Sequence, residues 1–143
     1  MLLALFLATS SPSFGLGLYG EIIPGGVGLS LRYFPSPSVA MQLVIGGFAA
    51  GEHGGRILLG GRIPFGISQG GDRCRFVHFL GPAIWLGFWS YGKYSGMGLG
   101  LQGFYEFEVW PSPSVPISFG LGAGLNILPR ISFFIPFNFH FYF

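Results

Sequence analysis

Charge is what this sequence has least of. Charged residues are 8% of the 143-residue chain, against roughly 25% in ordinary soluble domains. Seven Lys and Arg against five Asp and Glu leave a formal charge of +2, with no basic patch to act as an electrostatic footprint for nucleic acid. Cysteine is nearly absent as well. The single Cys74 has no partner for an internal disulfide, no Cys/His spacing suggests a metal site, and Cys74 reads as an incidental turn residue. Helix-compatible apolar runs are also missing. The stretch from Tyr33 to Gly51 carries Pro35, Pro37 and the Gly46-Gly47 pair, and Val109 to Pro129 carries four prolines, each costing a helix about 3 kcal/mol. Phe76 to Gly92 is the one weaker exception.

What is present is hydrophobic. Half of the residues are apolar, 17 are Phe, and mean hydropathy is +0.60. That composition excludes disorder, despite 26 Gly and 11 Pro, and points to lipid as the solvent. Only helices and closed barrels satisfy every backbone polar group inside a bilayer. With helices excluded, a barrel is left.

The apolar pattern has a period of two. Ile131, Phe133, Ile135, Phe137, Phe139, Phe141 and Phe143 alternate with Arg130, Ser132, Pro136, Asn138, His140 and Tyr142. Val115 to Ile127 repeats the pattern against Pro, Ser, Gly and Asn, and Met97 to Val109 does so against Gly98, Gly100, Gln102, Glu106 and Glu108. Shorter alternations begin at Leu16, Val27, Val39 and Ile57, and a fifth, Val77 to Trp89, turns Leu80, Ile84, Leu86 and Phe88 outward and Gly81, Ala83, Trp85 and Gly87 inward. Each is a strand with one oily face. Together they predict an all-β fold, an eight-stranded antiparallel up-and-down transmembrane β-barrel spanning residues 14–143. Residues 1–13 (MLLALFLATSSPS) read as a signal-peptide remnant or N-terminal extension, too short to cross a membrane.

An internal repeat orients the barrel. Tyr33 to Val39 and Val109 to Val115 share an aromatic residue followed by PSPSV, and both fall between strands at one end. Bacterial barrels keep their termini and short turns on the periplasmic side, so both turns and Phe143 are expected there. The longest connection, Gly66 to Arg75 (GISQGGDRCR), falls on the same side and is the best candidate for touching a partner. Two aromatic belts are expected: Tyr33, Phe65, Phe76, Trp110, Phe141, Tyr142 and Phe143 at the turn end, and Trp85, Trp89, Tyr91 and Tyr94 at the loop end.

The eight alternating strands, the paired short turns and the closing Phe139-His140-Phe141-Tyr142-Phe143 resemble the small eight-stranded outer-membrane barrels, the OmpA-like transmembrane domain and its OmpX-like relatives. The resemblance implies an outer-membrane address. It also implies that Phe137, Phe139, Phe141 and Phe143 form the C-terminal signal read by the barrel assembly machinery. The short loops at Pro24-Gly25, Gly51 to Gly55, Ser90 to Gly96 and Leu128-Pro129 depart from the family, whose extracellular loops are longer, and argue against adhesion or ligand capture.

Parity turns Glu21, Arg32, Arg56, Arg62, Glu106 and Glu108 inward. Three acids against three bases in a narrow lumen are expected to pair, because an unpaired charge there is costly. The bland reading is a polar plug; a gate or proton-sensitive site involving His78 or His140 is the sharper one. The inward glycines read as devices for strand coiling, with a small cavity as the alternative. Enzymatic readings find little support. Glu52 and His53 are the only acid/His pair at the outer loops and lack a nearby Ser, and there is no HExxH, P-loop or GxSxG. The expectation is an integral outer-membrane barrel, not an enzyme, without cofactor or metal. Outer-membrane lipid, the assembly machinery and other envelope proteins are its expected partners. A small-solute or lipid-binding channel is the alternative.

Overall fold

The computed structural model describes residues 14–22, 26–36, 38–49, 54–112, 115–128 and 131–143. The expected leader at 1–13 and the pair Glu52 and His53 lie outside them. Ten strand segments follow in order: β1 Phe14–Glu21, β2 Gly26–Ser36, β3 Val39–Ala49, β4 Gly54–Arg62, β5 Phe65–Gly70, β6 Arg75–Tyr91, β7 Tyr94–Trp110, β8 Ile117–Leu128, β9 Ser132–Phe134 and β10 Pro136–Tyr142. All pairings are antiparallel, each stave lies beside its sequence neighbours, and β10 pairs with both β8 and β1 to close the ring.

The ten segments make eight staves. β4 and β5 are two halves of one stave interrupted at Ile63 and Pro64, and β9 and β10 are halves of another interrupted at Ile135, just before Pro136. Proline supplies no ladder donor, which explains both interruptions. The first remains stitched to its neighbours, since Ile63 N–H donates to Pro82 O (3.1 Å) and Ala40 N–H donates to Pro64 O (2.9 Å). Pro82 itself sits opposite this interruption, where its missing donor disturbs the ladder least.

The alternation appears in the structure as expected. Leu16, Leu29, Leu43, Ile57, Ile84, Leu99 and Phe119 are exposed on the outer wall, while their strand neighbours Ser30, Val44, Leu58, Ala83 and Ser118 are buried inside. A wall that is apolar outside and partly ionic inside reverses the arrangement of a soluble protein and suits hydrocarbon as solvent. Among the described residues no helix is long and apolar enough to cross a membrane.

Three expectations about connections are corrected. The segment expected to be the longest loop, Gly66 to Arg75, is mostly strand: β5 runs to Gly70 and only residues 71–74 turn. There Gly71 adopts φ +88°, and a Cβ on it would lie 1.9 Å from Cys74 O, which fixes the turn on glycine. The loop expected at Ser90 to Gly96 is a two-residue hairpin between Tyr91 and Tyr94 with Gly92 at φ +56°, a position that favours glycine in such tight turns. The last stave is broken at Ile135 instead of running unbroken from Ile131 to Phe143.

Candidate functional site: the layered lumen

Inside the barrel the side chains stack in layers. At the end bearing the termini, Phe34, Ala40, Val77, Phe79 and Tyr142 form an apolar cluster with Trp110 packed against it. Toward the loop end Tyr19, Val44, Leu58, Ala83, Trp85, Phe104 and Phe134 form a second. An ionic layer lies between them. Arg32 and Arg62, on β2 and β4, face Glu106 and Glu108, which are two residues apart on β7 and so share its inner face. All four are buried to 1% exposure or less.

The ion pairs form a chain across the lumen, Glu108 to Arg32 to Glu106 to Arg62. Arg32 donates from Nη2 to Glu106 Oε1 at 2.9 Å and from Nη1 to Glu108 Oε2, and Arg62 donates from Nη2 to Glu106 Oε2 at 2.9 Å. Gln42 on β3 completes the layer, its Oε1 accepting from Arg32 Nη2 (3.1 Å) and Arg62 Nη1 (2.8 Å). Two positive and two negative charges cancel within the layer. The Arg62 guanidinium is also held between aromatic faces, 3.8 Å from the Phe104 centroid and 4.6 Å from that of Tyr19, a cation–π arrangement that strengthens away from water.

A neutral relay continues from this layer. Gln42 Nε2 donates to Ser30 Oγ (2.8 Å), which in turn lies 2.8 Å from His140 Nε2. Ser30 Oγ accepts from Gln42 and shares a hydrogen bond with His140 Nε2, whose direction follows the ring tautomer. His140 Nδ1 and both amide atoms of Asn138 have no hydrogen-bond partner among the described residues.

The six charges expected to pair in the lumen therefore divide. Arg32, Arg62, Glu106 and Glu108 come together. Glu21 is buried and, among the described residues, has no ion-pair partner: it accepts from Tyr19 OH at 3.1 Å and lies 3.5 Å from Gln102 Nε2. Arg56 is exposed at the loop-end mouth, its Nε and Nη2 each 3.4 Å from where a Cβ on Gly87 would stand. On β4 it stands six residues from Arg62, nearer the loop end than the ion-paired layer.

His78 is a second correction. It sits on the outer wall, where Nδ1 and Tyr105 OH share a hydrogen bond and Phe107 packs edge-on at 5.0 Å, so it takes no part in the lumen. Of the two histidines among the described residues, His140 is the one inside. Three belt aromatics are likewise interior. Trp85 hydrogen-bonds Gln102 inside the barrel and tilts against Tyr19, while Trp110 stacks on Tyr142 at 4.5 Å. Trp85 is inward as its alternation with Gly87 predicts, whereas the residue type of Trp110 and Tyr142 points to a girdle and their parity with Glu108 and His140 points inward. Phe34, Phe79 and Phe104 also fill the lumen; the sequence reading leaves them unassigned, although each lies on the inward parity of its strand.

Several inward glycines are places where backbones meet. A Cβ on Gly17 would stand 1.8 Å from Phe139 O, and one on Gly28 would stand 2.5 Å from Gly46 Cα. Coiling of the wall explains these positions. The expected assembly residues line the outer face of β10: Phe141 pairs with Leu16, Phe139 with Leu18 and Phe137 with Gly20. Phe143 follows the strand, 74% exposed, and its N–H donates to Phe14 O at 3.0 Å.

No protein-family model matches the sequence. No curated protein matches it either. Among solved structures, the N-terminal β-barrel domain of Pseudomonas aeruginosa OprF superposes with a TM-score of 0.63 at 16% identity, covering 92% of this chain and 97% of that one. Ail, the attachment invasion locus protein of Yersinia pestis, aligns over the same shares at 13% identity and a TM-score of 0.48. The first of these matches over nearly its whole length, and the ring of this chain closes on eight antiparallel staves: the chain has the fold of the small eight-stranded outer-membrane β-barrels.

Proposed function

We propose that the protein is an integral outer-membrane barrel with a structural or interactive role in the cell envelope, its lumen closed by paired charges. The observation that carries this reading is the chain Glu108, Arg32, Glu106, Arg62, fully buried between two apolar layers. An eight-stranded barrel has an interior that side chains just fill, and a neutral layer crossing it leaves no free charge to select a solute. The reading assigns no catalysis. In cells the aromatic outer face of β10 would be met by the barrel assembly machinery, and the wall afterwards by outer-membrane lipid and other envelope proteins.

Planar-bilayer recording tests the closed lumen: the purified barrel should give no stable conductance to solutes larger than ions. Envelope fractionation tests the address, with the chain expected in the outer membrane. A small-solute channel is the second reading. It is favoured by the unpaired polar atoms of Asn138 and His140, since buried groups of this kind are ordinarily satisfied by internal water. Sustained solute flux would select it.

A further inference from the structure

The outer wall is not uniformly filled. A groove of about 820 Å³ crosses β5 to β9, running from Phe65 and Ile67 over Pro82 and Gly103 to Ala123 and Phe133. Register explains it. Pro82 pairs with Gly103, and Tyr105 pairs with Ala123, so small outward residues adjoin where neighbouring staves carry Leu or Phe. A Cβ on Gly103 would meet no atom within 4 Å, leaving backbone as the floor.

One end of this groove is polar. Tyr105 lines it, and Tyr105 OH is hydrogen-bonded to His78 on the same outer face. Ionisable residues facing lipid are rare and mark functional sites. His78 stands two residues inward of Phe76, about 5 Å along the barrel axis at about 3.3 Å per residue and a tilt of about 45°. If Phe76 lies with the interfacial aromatics, His78 and Tyr105 stand at the boundary of headgroup and hydrocarbon, where the ester carbonyls of a glycerophospholipid lie. With one hydrogen bond between them, a neutral His78 and Tyr105 keep one N–H or O–H donor to offer such acceptors, and Leu80, the next outward residue of β6, leads from the pair into the groove.

We infer that this groove is a lipid-binding site: one acyl chain of a glycerophospholipid lies over Gly103, with its ester region met by His78 and Tyr105. The inference rests on the wall being embedded in a membrane, and not on whether the lumen is closed.

The test is a titration of the full barrel in detergent micelles with phosphatidylglycerol carrying a nitroxide on its acyl chain, read by paramagnetic broadening of backbone amide signals. Broadening should saturate at Gly103 and Ala123 while the opposite wall, at Leu29, shows only the background of free lipid. Gly103→Phe should reduce the groove to that background, and Ala123→Phe serves as a second blocking variant, with heat-dependent gel mobility confirming that each is folded. His78→Phe should weaken the apparent affinity by about two- to tenfold, the change that one hydrogen bond supports. Equal broadening on both walls overturns the site while leaving the membrane reading intact, and no broadening on either wall overturns both. Folded blocking variants that bind like the native chain also overturn it. So does a dimer that Gly103→Phe abolishes, because the occupant is then a second copy of the chain.

Discussion

Arg32 and Glu106 stand on opposite sides of the ring, four staves apart, and meet at 2.9 Å with both side chains fully buried. Glu106 serves Arg62 as well, so among the described residues it is the one carboxylate shared by two guanidinium groups. Removing one member of a buried ionic cluster leaves an uncompensated charge and costs about 3–5 kcal/mol. Glu106→Gln is therefore expected to destabilise the barrel by about that amount, and Glu108→Gln by less, since Arg32 keeps Glu106. Urea unfolding in micelles measures both. Equal, small effects would show that the cluster is solvated.

Glycine substitutions separate wall geometry from open space. Gly17→Ala drives a methyl group into Phe139 O, and because the obstacle is backbone the seam between β1 and β10 must shift, at about 1–3 kcal/mol. Gly103→Ala meets nothing and is expected to be neutral or slightly stabilising through the unfolded chain. A shared loss in both would mean that strand coiling, not contact, sets the cost.

The parts of this fold that were legible in the sequence are those governed by a period of two under a single apolar solvent. Alternation from Leu16 to Phe143 settled which face each strand turns outward, because a slip of one residue would put the whole set on the wrong side. Ser68-Gln69-Gly70 carries no such alternation, so β5 read as loop; it is strand because β6 continues beside it and offers a ladder. Residue type misled where it was set above parity. Trp110 and Tyr142 read as interfacial aromatics but share the inward face with Glu108 and His140, whereas His78 shares the outward face with Leu80. Arg56 has the right parity and the wrong height, which no alternation reports. Pairing across the lumen depends on three-dimensional closure and on stagger between staves, neither of which one strand's pattern contains.

The aromatic layer at the terminus end gives a packing prediction. Tyr142 stacks on Trp110 at 4.5 Å, while its hydroxyl reaches Glu108 and Ser118 only at 3.4 and 3.5 Å, distances at which hydrogen bonds are weak. Tyr142→Phe should cost under about 1 kcal/mol, and Tyr142→Ala about 3–5 kcal/mol through the cavity it leaves. Thermal unfolding followed by gel mobility distinguishes them. A large loss in the Phe variant would place the hydroxyl in the ionic layer's hydrogen bonding.

The last strand separates assembly from stability. Phe143 is 74% exposed, but its backbone joins Phe14 through two hydrogen bonds, Phe143 N–H to Phe14 O at 3.0 Å and Phe14 N–H to Phe143 O at 3.4 Å. Deleting it thus removes little burial and the outermost rung of a seam that keeps the register from Gly15 with Tyr142 to Glu21 with Pro136. The loss should be about 1–2 kcal/mol, the net worth of two hydrogen bonds of which one is long, and refolding of purified chain into micelles should proceed nearly as before. Phe139→Arg is different in kind. Phe139 packs against Phe119 at 5.1 Å on the outer wall, and arginine there costs about 2–4 kcal/mol near the bilayer midplane and less toward an interface. Refolding should fall with Phe139→Arg in micelles and in cells alike. If Phe143 is read by the assembly machinery, its deletion should lower the amount of barrel reaching the outer membrane in cells while leaving refolding in micelles nearly intact. Equal yields of the deletion in both settings would show that Phe143 is ordinary strand and that recognition rests on other residues.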